Sequence, residues 1–343
     1  MRIAIDAMGG DFAPRHVVDG AVGAARQVGC GLVLVGRAEA IERELDRHRD
    51  AVDLDVRIVD ARDVIAMAEP PAAALRRRTG ASIRVGADLV ARGEAAALFS
   101  AGNTGATVVA ARNAFGMLAG VDRPALATTV PTRRQRPAVL LDSGATVECR
   151  PHHLAQFAIM GTVFARVALG IDQPRVGLLS IGEEETKGND LTRDAHRLLK
   201  DGPFNFIGNV EARDVYSGEA DVIVCDGFTG NITLKVSEGL VETVEHLLRE
   251  ELSRTLPARL GYLLSRGAFR RFRHHVDYSE YGGVPLVGVA GLCVVGHGRS
   301  SAKAVCSAVG LAAKFVTNGF LERLSSEIAS MPDVVVRRQA GDS

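Results

Sequence analysis

The sequence predicts an α/β fold, a largely parallel sheet covered by helices, on three observations. Short runs rich in β-branched residues alternate with longer amphipathic runs along the 343 residues. That is the rhythm of strand, crossover helix and parallel strand. Tryptophan is missing and only 5% of residues are aromatic, so the core must be Leu, Val, Ile and Ala, with 37 glycines allowing close approach. Such a composition suits a sheet buried on both faces. Finally, six strand-like runs end in a polar residue, each with a glycine within the next three positions: Asp6, Ser100, Asp142, Ser180, Asp226 and His297. In one parallel sheet these ends share an edge, where open α/β sheets hold their ligands. A polar cleft is expected there.

The elements follow in order. Arg2 to Asp6 reads as a strand, and it enters Met8-Gly9-Gly10-Asp11, where two glycines permit unusual backbone. A helix runs to about Gln27, with Val17, Val18, Ala21, Val22 and Ala25 on one face. Gly31–Val35 and Val56–Val59 are strands separated by a charged helix, Ala38–His48. Asp63–Gly80 is ambiguous, and its Arg76-Arg77-Arg78 reads either as a phosphate patch or as a solvated face. Ala81–Arg92 is a helix and Ala95–Phe99 a strand, ending in Ser100-Ala101-Gly102-Asn103-Thr104-Gly105 before a helix of small residues. Strand, glycine loop and helix start bring N–H groups together where an anion is welcome. Ala138–Leu141 is a strand, His152–Leu169 an apolar helix, and Val176–Leu179 a buried strand. Asn205–Val210, Asp221–Cys225 and Cys293–Val295 complete the strands, with helices over Ile232–Leu252 and Ala302–Ala329. The chain reads as one α/β domain over 1–330, with a helical basic excursion over 240–280 and a loose tail over 331–343.

Bulk properties exclude several classes. Lysine plus arginine equals aspartate plus glutamate, at 41 each, so overall charge gives no push toward nucleic acid. Asp6 interrupts any leader-like apolar run, and no stretch offers the ~18 apolar residues of a membrane span. Cys30, Cys149, Cys225, Cys293 and Cys306 are scattered, which disfavours a disulfide framework or a zinc site and fits the cytosol. The dinucleotide fingerprint, the P-loop, HExxH and the GxSxG elbow are missing. His152 and His153 are adjacent, and on a helix they are expected to point to different faces.

What remains is anion handling. Ser180-Ile181-Gly182-Glu183-Glu184-Glu185-Thr186-Lys187-Gly188-Asn189-Asp190 packs three carboxylates and one lysine between glycines at a strand end, either as a solvated turn or as part of a site. Loop amides with Asn103, Asn189, Asn231 and Lys187 can hold phosphate and an oxyanion without metal. One segment breaks the α/β rhythm. Leu252–Val276 has no acid, and Arg254, Arg259, Arg266, Arg270, Arg271 and Arg273 interleave with Leu260, Leu263, Leu264 and Phe269. It reads as a docking face for anionic lipid or an acidic protein, or as a helical hairpin against a second subunit.

With these loops set out, the chain resembles the bacterial phosphate acyltransferase family of phospholipid synthesis. The resemblance is carried by IAIDAMGGDFAP at the start, SAGNTGA from Ser100, GLLSIGEEETKGN from Gly177, FIGNVEARD from Phe206, DVIVCDGFTGN from Asp221, YGGVPLVGV from Tyr281 and GHGRSS from Gly296. It departs from the family's usual asparagine at Ser180. The resemblance implies a three-layer α/β/α fold like phosphotransacetylases and isopropylmalate-type dehydrogenases. It implies transfer of a long acyl chain from acyl carrier protein to inorganic phosphate, no cofactor, a homodimer, and a cytoplasmic protein peripherally attached to an anionic membrane. Lys187, with Asn231 or Asn189, is then expected to neutralise phosphate or the oxyanion. Phosphate is expected among Asp6, Gly9, Gly10, Ser100, Gly102, Asn103, Thr104, Gly105, Asp142, Gly182, Asp226, Gly227, Gly230 and His297. One of the three glutamates orients Lys187, or they cap the next helix. The alternatives are a phosphotransacetylase-like enzyme using acyl-coenzyme A, a silent carrier-protein adaptor at the membrane, and an acyl-enzyme route through Cys225.

Overall fold

Each apolar run named above becomes a strand or a helix, but the strands divide between two sheets. The computed structural model describes residues 1–48, 53–134, 136–276 and 283–330, with backbone alone over 270–276. The chain runs β1 (Arg2–Asp6), α1 (Arg15–Val28), β2 (Gly31–Gly36), α2 (Ala38–Leu45), β3 (Val56–Asp60), α3 (Pro71–Arg77), α4 (Ser82–Ala91), β4 (Ala97–Ser100) and α5 (Thr104–Phe115). It continues through β5 (Ala125–Leu126), β6 (Thr128–Val130), β7 (Ala138–Leu141), α6 (Pro151–Leu169), β8 (Arg175–Ser180), α7 (Asp190–Lys200), β9 (Asn205–Glu211) and β10 (Val222–Val224). It closes with α8 (Gly227–Arg254), α9 (Leu256–Val276), β11 (Val284–Val287), β12 (Leu292–Val295), α10 (Ala302–Thr317) and α11 (Phe320–Ala329).

The larger sheet has the order β3-β2-β1-β4-β12-β11-β5, and the smaller β6-β7-β10-β8-β9. Parallel pairing dominates, as continuous burial of β1, β2, β4 and β7 requires. The exceptions are β11, β5 and β6, which run antiparallel to their partners. The expectation of six polar ends on one edge is therefore corrected. Asp6, Ser100 and His297 belong to the larger sheet, and Asp142, Ser180 and Asp226 to the smaller. Strand order is invisible to a reading that sees only local pattern.

The chain passes from one sheet to the other at a single residue, Ala127, between β5 and β6. Around this crossing, Leu126 N–H donates to Asp142 Oδ1 at 2.8 Å and Ser143 N–H donates back to the Leu126 carbonyl at 3.0 Å. Thr146 Oγ1 donates to the Pro124 carbonyl at 2.8 Å.

The core is aliphatic as expected, but its largest fully buried side chains include Phe99, Phe157, Phe164, Phe315 and Phe320. Few aromatics does not mean exposed aromatics: Phe164, Phe315 and Phe320 form one cluster joining α6, α10 and α11, with centroids 4.6–6.2 Å apart. The single final helix expected over Ala302–Ala329 is broken at Gly319, whose φ of +61° is left-handed. The basic excursion is the second half of α8 plus α9, and residues 277–280 of it lie outside the described residues, as does the tail 331–343.

Candidate active site

Three loops converge beyond β1, β4 and β12. A Cβ on Gly9 would sit 2.7 Å from the Gly102 nitrogen, so the approach of the two loops requires Gly9, and a Cβ on Gly102 would press on Gly9 Cα at 3.3 Å. Asp11 N–H donates to the Gly298 carbonyl at 2.8 Å, which brings in the third. Asp6, 3% exposed, accepts from Ser100 Oγ at 2.7 Å and from Met8 N–H at 3.3 Å. Burial pushes its carboxyl above the usual range, against the pull of the Ser82 and Ser100 hydroxyls. The cavity beside Asp6, Ser82, Ser100 and Gly102 is only about 10 Å³, room for one water at most. Asp6 and Ser100 are walls of this loop cluster. Thr104, exposed at the first turn of α5, faces solvent, and His297, also exposed, uses Nδ1 to accept Arg299 N–H.

Asn103 is committed to structure. Its amide oxygen caps α5 by accepting Ala106 N–H, and its Nδ2 donates to the carbonyls of Ala66, Met67 and Glu69. It thereby pins the 63–70 segment, so the ambiguous Asp63–Gly80 region resolves into an anchored loop and α3. Of the basic triplet, Arg76 and Arg77 are exposed, while Arg78 pairs with Glu69 at 2.9 Å and donates to the Val64 carbonyl.

A second group of loops lies beyond β7 and β10. Asp142 is fully buried, and its two oxygens accept four backbone N–H groups, from Leu126, Gly144, Ala145 and Thr146, at 2.6–2.9 Å. Burial drives its carboxyl upward while those donors pull it back. Asp142 shapes the loop; no oxygen is left facing a substrate. Gly227 and Gly230 make room for it, since a Cβ on Gly230 would fall 1.9 Å from the Asp142 carbonyl oxygen. Asp226 caps α8, accepting Thr229 N–H at 2.9 Å and Thr229 Oγ1 at 2.7 Å. Asn231, exposed, lies over Gly144. Cys225 is 2% exposed and its thiol is pushed well up by burial and by Asp142, the reverse of an activated nucleophile. Cys225→Ala is expected to keep wild-type turnover, checked by steady-state kinetics; loss of turnover with a normal melting profile would restore the acyl-enzyme route.

The third loop, after β8, carries Lys187. Its side chain folds across Gly182, where a Cβ would meet Lys187 Cγ at 2.8 Å. The ammonium is exposed and has no partner among the described residues. None of the neighbouring glutamates orients it. Glu185 takes Lys200 at 2.5 Å, and Glu183 lies 3.5 Å from Arg213. The cap of α7 is Asn189, whose Oδ1 accepts Thr192 N–H at 2.9 Å. The Asn189 oxygen is thus used on its helix, its exposed Nδ2 keeps its hydrogens for another acceptor, and Lys187 is the cation of the loop.

His152 and His153 meet instead of diverging, with ring centroids 4.2 Å apart, and Asp122 joins them. At the first turn of α6 side chains lean past the helix end, which the interior geometry did not anticipate. The three offer ligand atoms within 4.8 Å of one another. Their donors do not fit a metal. His153 Nδ1 accepts Arg150 N–H at 3.0 Å, so its one neutral-state lone pair is in use. His152 Nε2 is engaged with Asp122 at 3.0 Å.

Away from these loops, α8 and α9 present an apolar face. Leu256, Leu260, Leu263 and Leu264 are 60–80% exposed. The helices enclose a groove of about 390 Å³ lined by Leu248, Leu252, Tyr262 and Phe269 with Arg249 and Arg259. The side chains of Arg270, Arg271 and Arg273 lie outside the described residues. No single described helix is long and apolar enough to cross a membrane.

The fatty acid synthesis protein family model matches residues 1–323. A phosphate acyltransferase of Geobacter sulfurreducens is 49% identical over 328 residues, 96% of this chain and 94% of that one. Another, from Nitratidesulfovibrio vulgaris, is 50% identical over 330 residues, 96% and 95% of the two chains. Among solved structures, a phosphotransacetylase from Streptococcus pyogenes superposes with a TM-score of 0.62 at 17% identity, covering 92% of this chain and 94% of that one. A 4-hydroxythreonine-4-phosphate dehydrogenase from Salmonella typhimurium gives 0.52 at 13% identity, covering 91% and 98%. At such identities these two structures share the fold alone.

Proposed function

The chain belongs to the fatty acid synthesis protein family of acyltransferases, and from that premise we propose that it moves a long acyl chain from acyl carrier protein to inorganic phosphate. The product is acyl phosphate, an activated donor for phospholipid synthesis. A phosphate oxygen attacks the thioester carbonyl, the carbon–sulfur bond breaks, and the carrier thiolate leaves with the proton that phosphate gives up. Thiolate is a good leaving group, so charge stabilisation and positioning supply most of the effect. The observation that carries the reading is Lys187, an exposed cation, unpaired among the described residues, on a glycine-bounded turn at the end of a parallel strand. It is suited to neutralise phosphate or the developing oxyanion, with Asn231 as a neutral donor.

The choice of carrier protein over coenzyme A rests on the α8–α9 face. Exposed leucines beside Arg254, Arg259 and Arg266 suit an acidic carrier and an anionic membrane surface. A homodimer and peripheral attachment at the cytoplasmic side belong to the same reading. The test supplies purified protein with acyl-carrier thioester or acyl-coenzyme A, with and without phosphate, and traps acyl phosphate with hydroxylamine. Hydroxamate that requires phosphate and forms faster from the carrier thioester is expected. No phosphate-dependent product overturns the reaction, and preference for the coenzyme A thioester overturns the donor.

A further inference from the structure

The turn that carries Lys187 is gripped by side chains that the chemistry above does not use. The Glu184 carbonyl accepts two N–H groups: Lys187 N–H at 3.0 Å, which closes the turn, and Asn209 Nδ2 at 2.9 Å. Asn209 lies in β9 and is 7% exposed. Its amide oxygen is 2.9 Å from His196 Nδ1. Since only Nδ2 can donate to a carbonyl, the Asn209 oxygen is the acceptor and His196 Nδ1 carries the hydrogen. His196 is itself held. It is 5% exposed, packs edge-on to Phe206 with centroids 5.0 Å apart, and turns Nε2 toward Glu185 Oε1 at 3.6 Å. A continuous path therefore runs from α7 through β9 to the Lys187 backbone.

Strand β9 is irregular at the point that aims Asn209. Val176 pairs with Phe206 but Gly177 pairs with Gly208, so Ile207 is an extra residue. A one-residue insertion turns each later side chain to the opposite face. Without it, Asn209 would occupy the face where Val210 now packs against Gly177. Gly208 absorbs the distortion with a φ of +97°, and a Cβ there would meet nothing within 4 Å, so the backbone alone calls for glycine.

We propose that the bulge at Ile207–Gly208 and the His196–Asn209 pair form a positioning device for Lys187. His196 sets the direction of the Asn209 amide, and the amide holds the turn so that the ammonium reaches the reacting oxygen. This rests on the reading of Lys187 given above, and the experiment separates the two. Turnover and thermal midpoint are measured for Lys187→Ala, Asn209→Asp, the double variant, His196→Leu and His196→Asn.

Asn209→Asp keeps shape and the acceptor toward His196 but sets an acceptor against the Glu184 carbonyl; kcat is expected to fall roughly tenfold to a hundredfold. In the Lys187→Ala background the same change is expected to cost nothing more, because the group it positions has gone. His196→Asn places an amide donor near the Nδ1 position and is expected to recover most of the rate that His196→Leu loses. If Asn209→Asp costs as much without Lys187 as with it, or if Asn209→Asp turns over at the wild-type rate, the positioning role is overturned while Lys187 stands. If Lys187→Ala turns over at the wild-type rate, the parent reading fails and takes this inference with it.

Discussion

Lys187→Ala lowers kcat/KM for phosphate by about 10²–10³, the cost of removing one preorganised charge-stabilising group. Its thermal midpoint stays at the wild-type value, because the side chain is exposed and its ammonium pairs with nothing among the described residues. Lys187→Arg recovers only part of the rate. The charge is restored, but the broad planar guanidinium cannot occupy the point position of an ammonium beside Gly182. The check is steady-state hydroxamate formation across a phosphate series, with melting curves on the same preparations. A rate within a factor of two or so of wild type would move the phosphate cation elsewhere, since that is far below the loss of one such donor.

Asp142→Ala lowers stability by about 4 kcal/mol, among the largest single-residue effects expected of a soluble domain. Four backbone N–H groups lose their acceptor at once, two of them in the buried residues Leu126 and Thr146. The loss also opens the junction between the sheets, where Leu126 and Asp142 hold β5 to the end of β7. Asp142→Asn costs about half as much, because Oδ1 still serves three donors and only Thr146 N–H meets an amide hydrogen. Urea unfolding of the two variants measures the order. A midpoint for Asp142→Ala equal to wild type would mean that water replaces the carboxylate without loss.

Local pattern revealed the elements well. The β-branched runs became strands within a residue or two, and the glycines at 9, 102, 227 and 230 fall where backbone approaches backbone. Long-range order was not legible. Nothing in Ala125–Leu126 or Thr128–Val130 announces two short strands in different sheets, since each is too brief to show a period. Residue roles were half legible. The motifs drew attention to Asn103, Asn189, Asp142 and Asp226, and the structure uses the side-chain oxygens of all four on caps or loop amides, with the Asn103 Nδ2 also taken and that of Asn189 left to donate. Polar residues beside glycine have two uses, ligand and cap, and sequence spacing does not separate them. Asn209, quoted only within FIGNVEARD, and His196 were given no role because their meeting depends on a bulge. The one local sign was Gly208, a glycine inside a strand.

The strand order also bears on how the chain is made. β4, at residues 97–100, has β1 on one side, and its other neighbour is β12, at 292–295. Every strand of the smaller sheet lies between residues 128 and 224. As the polypeptide emerges, the smaller sheet can be completed while the larger still offers β4 as an unpaired edge, an invitation to pairing with other chains. That gap closes only when β12 slides between β4 and β11. The last strand among the described residues is an interior one, so a ribosome that stops short of it releases a sheet split along its middle.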